Sequence, residues 1–146
     1  MTFILQHDSK PKPQPQQQVS QFGSLIFDEE FNTFNLSRWK HVISAFGGAH
    51  KNSGNWEFEY YTNNRSNSYV KNGTLYLKPT LTNNTFTAPN YLFSGELNLW
   101  GTNPADICTT NYDYGCYRSG TSSNPINPVQ SARIQTTESF SFTYGR

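Results

Sequence analysis

Asn72-Gly73, set between "SYVK" and "TLYLKP", is the dipeptide that a two-residue type I′ hairpin turn favours, because both central residues must take positive φ. It commits the chain on either side to an antiparallel strand pair. The same grammar continues elsewhere in short runs such as "SLIF", "WKHVIS", "WEFEYY", "SGELNLW", "ARIQT" and "FSFTY", which alternate apolar and polar residues between Asn, Gly, Ser and Pro. No segment sustains a helical period over three turns, and "NLSRW" after Phe34 is expected to form a single turn capped by Asn35. The last stretch, "SARIQTTESFSFTYGR", reads as two strands, Ala132 to Thr136 and Ser139 to Tyr144, separated by Thr137-Glu138. An antiparallel all-β sandwich is therefore the expected fold class. The 16% of Phe, Trp and Tyr suits pleated surfaces and flat binding grooves better than helices.

Residues 9–21, "SKPKPQPQQQVSQ", have almost nothing to bury, so residues 1–21 are expected to be a Pro/Gln-rich tail or linker, with the folded part running from Phe22 to Arg146. Within the first ten residues only Phe3 to Leu5 are apolar, short of the roughly 7–15 residues of a signal-peptide core, so a different or longer first segment is expected. The 11 Lys and Arg against 10 Asp and Glu give no footprint of a nucleic-acid or anionic-membrane partner. Nor does any apolar run approach the roughly 20 residues of a membrane helix, so the expected partner is neutral and polar. Cys108 and Cys116 bracket "CTTNYDYGC", where a disulfide would close a small surface loop; two free thiols are the alternative. A zinc site would need two more ligands, and His7, His41 and His50 are far away in sequence. Glycosylation is expected at Asn35, Asn64, Asn72 and Asn84, read as Asn-x-Ser/Thr acceptors, which with the disulfide points to an extracellular protein.

Paired carboxylates are the first candidates for chemistry. On one strand Glu57 and Glu59 would point to the same face about 6.8 Å apart, within the range of an inverting glycosidase pair. The plainer reading is a solvent-facing edge opposite Trp56, Phe58 and Tyr60; Asp28 and Glu30 carry the same two readings. No nucleophile elbow, metal-binding His/Glu pair or phosphate-cradling glycine loop is present. More distinctive is the density of aromatic and amide side chains in "NWEFEYYTNNRSNSY", with Trp100 and Arg133, a mixture that can receive the C–H face of a sugar and hold its hydroxyls. Arg133 lies within a small or apolar strand and is expected to find a partner or ligand there.

The blocks "LIFDEEFNTFNLSRWKH", "NWEFEYYTNNRSNSYVKNGTLYLKPTL", "FSGELNLWG" and "SARIQTTESFSFTYGR", in that order, resemble the N-terminal half of a glycoside hydrolase family 16 domain. The branch they resemble is that of animal laminarinases and β-1,3-glucan-binding proteins. The resemblance implies an antiparallel β-jelly-roll sandwich of the concanavalin-like kind, incomplete over residues 22–146, with a cleft for β-1,3-glucan. It implies sugar contacts at Asn67 and Arg133 and groove walls at Trp56 and Tyr61. No cofactor is required, but a structural calcium near Glu30 and Gly73 is implied. The family's Glu-x-Asp-x-x-Glu strand, which carries the nucleophile and the acid/base, does not occur in these residues. Three expectations follow: part of a hydrolase truncated before its catalytic strand, a non-catalytic glucan-recognition module of innate immunity, or a partial product without function.

Overall fold

The computed structural model of the protein describes residues 3–5, 27–46 and 57–137. In chain order its strands are β1 (Phe3–Leu5), β2 (Trp39–Val42), β3 (Glu59–Tyr61), β4 (Ser68–Lys71), β5 (Thr74–Leu77), β6 (Thr80–Leu81), β7 (Glu96–Asn98), β8 (Tyr117–Ser119), β9 (Val129–Ser131) and β10 (Arg133–Thr136). Two helical turns, α1 (Thr82–Thr85) and α2 (Tyr91–Ser94), and a 3-10 turn at Tyr112–Tyr114 are the helical elements among the described residues. The fold is all-β, and no helix among the described residues is long and apolar enough to cross a membrane.

The hairpin forms where the Asn72-Gly73 signal puts it. Asn72 and Gly73 take φ of 52° and 70°, and Lys71 pairs with Thr74, which closes β4 on β5 through a two-residue loop. Tyr69 and Tyr76 stack across the pair at 4.9 Å, and Leu75 is buried. On the far edge of β5, β1 pairs antiparallel with Phe3 opposite Leu77, within the segment expected to be a tail. The turn after Phe34 also forms: Asn35 Oδ1 accepts from the Ser37 N–H at 2.9 Å, and the Asn35 carbonyl accepts from the Arg38 and Trp39 N–H groups. That turn launches β2, whose Trp39 donates from Nε1 to Glu29 Oε2 at 2.8 Å and stacks on Phe31. β2 pairs antiparallel with β10, and β7 with β8. The third sheet departs from a purely antiparallel plan: β9 lies between β6, antiparallel, and β3, parallel. The strand expected over Ser139 to Tyr144 lies outside the described residues.

The apolar core is small: Ala45, Tyr60, Leu97 and Ile126, packed by Phe86, Tyr91, Leu92 and Leu99. Hydrogen-bonded amides and hydroxyls complete the interior. Gln130 Oε1 accepts from the Tyr60 and Thr85 hydroxyls at 3.0 Å each, and its Nε2 donates to Thr62 Oγ1 at 3.0 Å. Burial pushes the Tyr60 hydroxyl up to about 12, keeping it a donor in this network. Thr82, fully buried, donates to the Asn127 carbonyl at 2.6 Å and pins α1 to the loop before β9. A chain that is 34% hydrophobic thus closes its interior by pairing polar groups instead of excluding them.

Cys108 and Cys116 form a disulfide. The double variant Cys108→Ser/Cys116→Ser is expected to lose about 2.5 kcal/mol, the chain entropy of a short closed loop. Urea denaturation of both proteins under non-reducing conditions measures the difference.

Candidate functional site

Tyr61 ends β3 and is held on both sides. Its backbone bridges Ser44, and opposite it on β9 stands Ser131. Side chains two residues apart in extended chain share a face, so Arg133, two beyond Ser131, returns to the side of Tyr61. Its guanidinium carbon stands 6.0 Å from the Tyr61 ring centroid, over the ring, and the side chain is exposed. Ala132, between Ser131 and Arg133, is buried.

The Tyr61 hydroxyl donates to Glu59 Oε1 at 3.1 Å, and Glu57 also reaches it. Burial, and then the charges of Glu57 and Glu59, push the phenol well above its ordinary value. The hydroxyl therefore stays protonated and tethers the two glutamates. Phe58, between them, is 74% exposed. Tyr61 thus carries Arg133 over its ring and the two glutamates at its hydroxyl, while Phe58, between those glutamates in sequence, is open to solvent. Tyr61 itself is buried, 8% exposed, so of the two rings only Phe58 offers an open apolar face; the carboxylates can accept from sugar hydroxyls and the Arg133 guanidinium can donate to them.

The structure revises parts of the sequence reading. Phe58 does not turn inward with Tyr60, because the regular strand begins only at Glu59 and the segment before it is irregular. Residues 27–30 pair in no sheet, so Asp28 and Glu30 do not lie on a strand. Asn67 is 1% exposed and does not face the surface shared by Tyr61 and Arg133. Its Nδ2 donates to the Lys78 carbonyl at 2.8 Å, Thr80 Oγ1 at 3.0 Å and the Gln130 carbonyl at 3.2 Å. From the interior it thus binds β9 one residue before Ser131, while its Oδ1 has no hydrogen-bond partner. Trp56 lies outside the described residues.

The Glu30 carbonyl oxygen lies 3.6 Å from where a Cβ on Gly73 would stand, so these two residues are neighbours across the hairpin tip. Backbone oxygens suit a calcium ion, but two residues fall short of the six to eight ligands it takes. No cluster of three or more His, Cys, Asp or Glu side chains supplements them among the described residues. Asn35 and Asn72 are exposed, and Asn64 accepts the Ser66 N–H on Oδ1 in a tight turn. Asn84 is corrected: the second residue after it is Phe86, and the acceptor pattern completed by Thr85 starts at Asn83.

Arg118 and His41 escaped the sequence reading. Arg118 is buried on β8, donating to Asn127 Oδ1 at 2.7 Å, and Asn127 in turn donates to the Glu59 carbonyl at 3.2 Å. His41 is buried on β2 with its Nε2 2.8 Å from Ser68 Oγ. Nothing in "YRSG" or "WKHV" marks these residues as inward-facing except the parity of the strand.

No family model matches the chain, and no solved structure matches it. Over 126 residues, 86% of its length, the chain is 48% identical to a curated protein of Penaeus monodon. That relative is named a beta-1,3-glucan-binding protein. The chain spans about a third of the relative's length, 33%.

Proposed function

We propose that this chain is a β-1,3-glucan-recognition unit, part of a glycoside hydrolase family 16-like protein, and that it binds glucan where Arg133 overhangs Tyr61. The observation that carries this is the contact of Tyr61 with Arg133, Glu57 and Glu59, with exposed Phe58 next to the glutamates in sequence, in a chain 48% identical to a glucan-binding protein. Phe58 takes the C–H face of a glucosyl ring, Arg133 donates to its hydroxyls, and the glutamates accept from them. Trp56 is proposed as a further sugar contact on the strength of the family resemblance alone. Asn67 contributes by fixing β9, which carries Ser131 into register with Tyr61. The disulfide supports an extracellular site of action. A structural calcium near Glu30 and Gly73 would have to draw most of its roughly six to eight oxygen ligands from outside the described residues.

Recognition is favoured over hydrolysis because Glu57 and Glu59 both engage the one Tyr61 hydroxyl, an arrangement that gives the two carboxyls the same surroundings and does not set an acid apart from a nucleophile. Incubation of the purified chain with laminarin is expected to release no reducing sugar. Release that disappears in Glu57→Gln or Glu59→Gln would restore the hydrolase reading. The binding role itself is tested by Arg133→Ala, expected to weaken laminarin binding about tenfold, or ~1.4 kcal/mol, with thermal stability within about 0.5 kcal/mol of wild type. Equal affinity in affinity electrophoresis would remove Arg133 from the site.

A further inference from the structure

We propose a second saccharide contact on the disulfide loop, formed by the exposed rings of Tyr114 and Tyr117 around the guanidinium of Arg118. It rests on the glucan-binding reading and adds a place on the molecule which that reading does not use. The face is a cavity of about 320 Å³, lined by Tyr114, Tyr117, Arg118, Ser119 and Asn124. This size lies at the lower end of the range of small-molecule sites.

Arg118 is the chemical centre of this face. It is only 6% exposed; the charge of Asp113 acts on it, but no carboxylate among the described residues stands at ion-pair distance. Of its five N–H donors, one has a short bond, NH1 to Asn127 Oδ1 at 2.7 Å. The Nε and NH2 contacts to the Tyr114 and Asp113 carbonyls are long, 3.4 Å each. A buried guanidinium so loosely held can donate to ligand hydroxyls entering the cavity. Around it the rings stand open: Tyr114 is 67% and Tyr117 36% exposed.

The loop holds these rings in place before any ligand arrives. Besides the disulfide, the Ala45 N–H donates to the Gly115 carbonyl at 2.7 Å, Ser44 Oγ donates to the Thr110 carbonyl at 2.8 Å, and the Cys116 N–H donates to Asn111 Oδ1 at 3.1 Å. Asp113 and Tyr114 are kept at φ of 49° and 59°, left-handed conformations that non-glycine residues adopt only when their surroundings impose them. Flat, rigid, half-polar rings beside a buried donor, with Ser119 and Asn124 at the edge, match a neutral polyhydroxylated ring better than an apolar or strongly charged ligand. Asn127 joins this face to β3, since it accepts from Arg118 and donates to the Glu59 carbonyl. A glucan chain able to reach both faces would gain by linked binding, whereas a short oligosaccharide would not.

The test compares laminarin polymer with laminaritriose, by titration calorimetry, on wild type, Tyr114→Ala/Tyr117→Ala and Arg133→Ala. Both tyrosines are at the surface, so the double variant is expected to keep the wild-type circular dichroism spectrum and midpoint of unfolding. The inference expects the double variant to lose roughly tenfold in polymer affinity while binding the trisaccharide like wild type. Arg133→Ala should weaken both ligands. Unchanged polymer affinity in the tyrosine variant overturns the second contact and leaves the Tyr61–Arg133 reading standing. A wild-type chain that binds neither ligand overturns that reading, and the second contact with it. A tyrosine variant that instead abolishes self-association in sedimentation, with glucan affinity intact, also overturns the inference and assigns the face to a protein contact.

Discussion

Asn67→Ala is expected to destabilise the fold by about 3 kcal/mol, a large effect for one small polar side chain. The two N–H donors of Asn67 serve three acceptors on three parts of the chain: Lys78 after β5, Thr80 on β6 and Gln130 on β9. Truncation strips all three of this donor inside a buried site, and an unpaired buried acceptor costs about 1–3 kcal/mol. The acceptor Oδ1, already without a partner, removes a little of its own penalty when deleted. Asn67→Asp should be worse than Ala, since it replaces the donor with a charge among carbonyls. Urea denaturation gives the difference directly. If Asn67 instead contacted sugar, Ala would lower laminarin affinity and leave the midpoint of unfolding unchanged.

Acid is expected to weaken the fold by about 2–3 kcal/mol between pH 6.5 and about 4, through His41. Burial, and then the positive charge of Arg65, lower its imidazole from 6.5 to about 4. Arg65 NH2 stands 3.3 Å from Nε2, Ser68 Oγ is at 2.8 Å, and Phe34 packs on the ring at 5.2 Å. As pH falls through 6.5, the unfolded chain takes up a proton that the folded chain refuses until about 4. The contribution is thus whole above 6.5 and lost progressively below it, at about 1.4 kcal/mol per unit of pH. His41→Gln should flatten this part of the stability–pH curve. A curve of identical slope in the variant would show that His41 is not the group responsible.

Local signals translated into structure wherever the chain decides its conformation over a few residues. Asn72-Gly73 makes its hairpin, Asn35 caps its turn, and Cys108 and Cys116 join across eight residues. The parallel pairing of β3 with β9 left no such mark, because Tyr61 and Ser131 meet only through long-range packing. The two arginines show what neighbouring residues leave undecided. Arg133 sits among small and apolar neighbours, where a partner is expected, yet it is exposed; Arg118, between Tyr and Ser, carries no such signal and is buried. Alternation gives two faces and does not say which one the core will take. Amides carry the same ambiguity: Asn67, Asn127 and Gln130 look like loop polarity in the sequence but cross-link the interior. Of the candidate site, Tyr61 and Arg133 are each implied by the family resemblance, whereas neither their contact nor the tethering of Glu57 and Glu59 by the Tyr61 hydroxyl is legible in the sequence.

Glucan recognition is tested most directly by titrating the purified chain with laminarin and, in parallel, with a soluble β-1,4-glucan and an α-1,4-glucan. The expected result is saturable binding of laminarin, at least about tenfold tighter than either of the others, a margin of ~1.4 kcal/mol. Equal affinity for all three, or no binding of laminarin, would contradict the account.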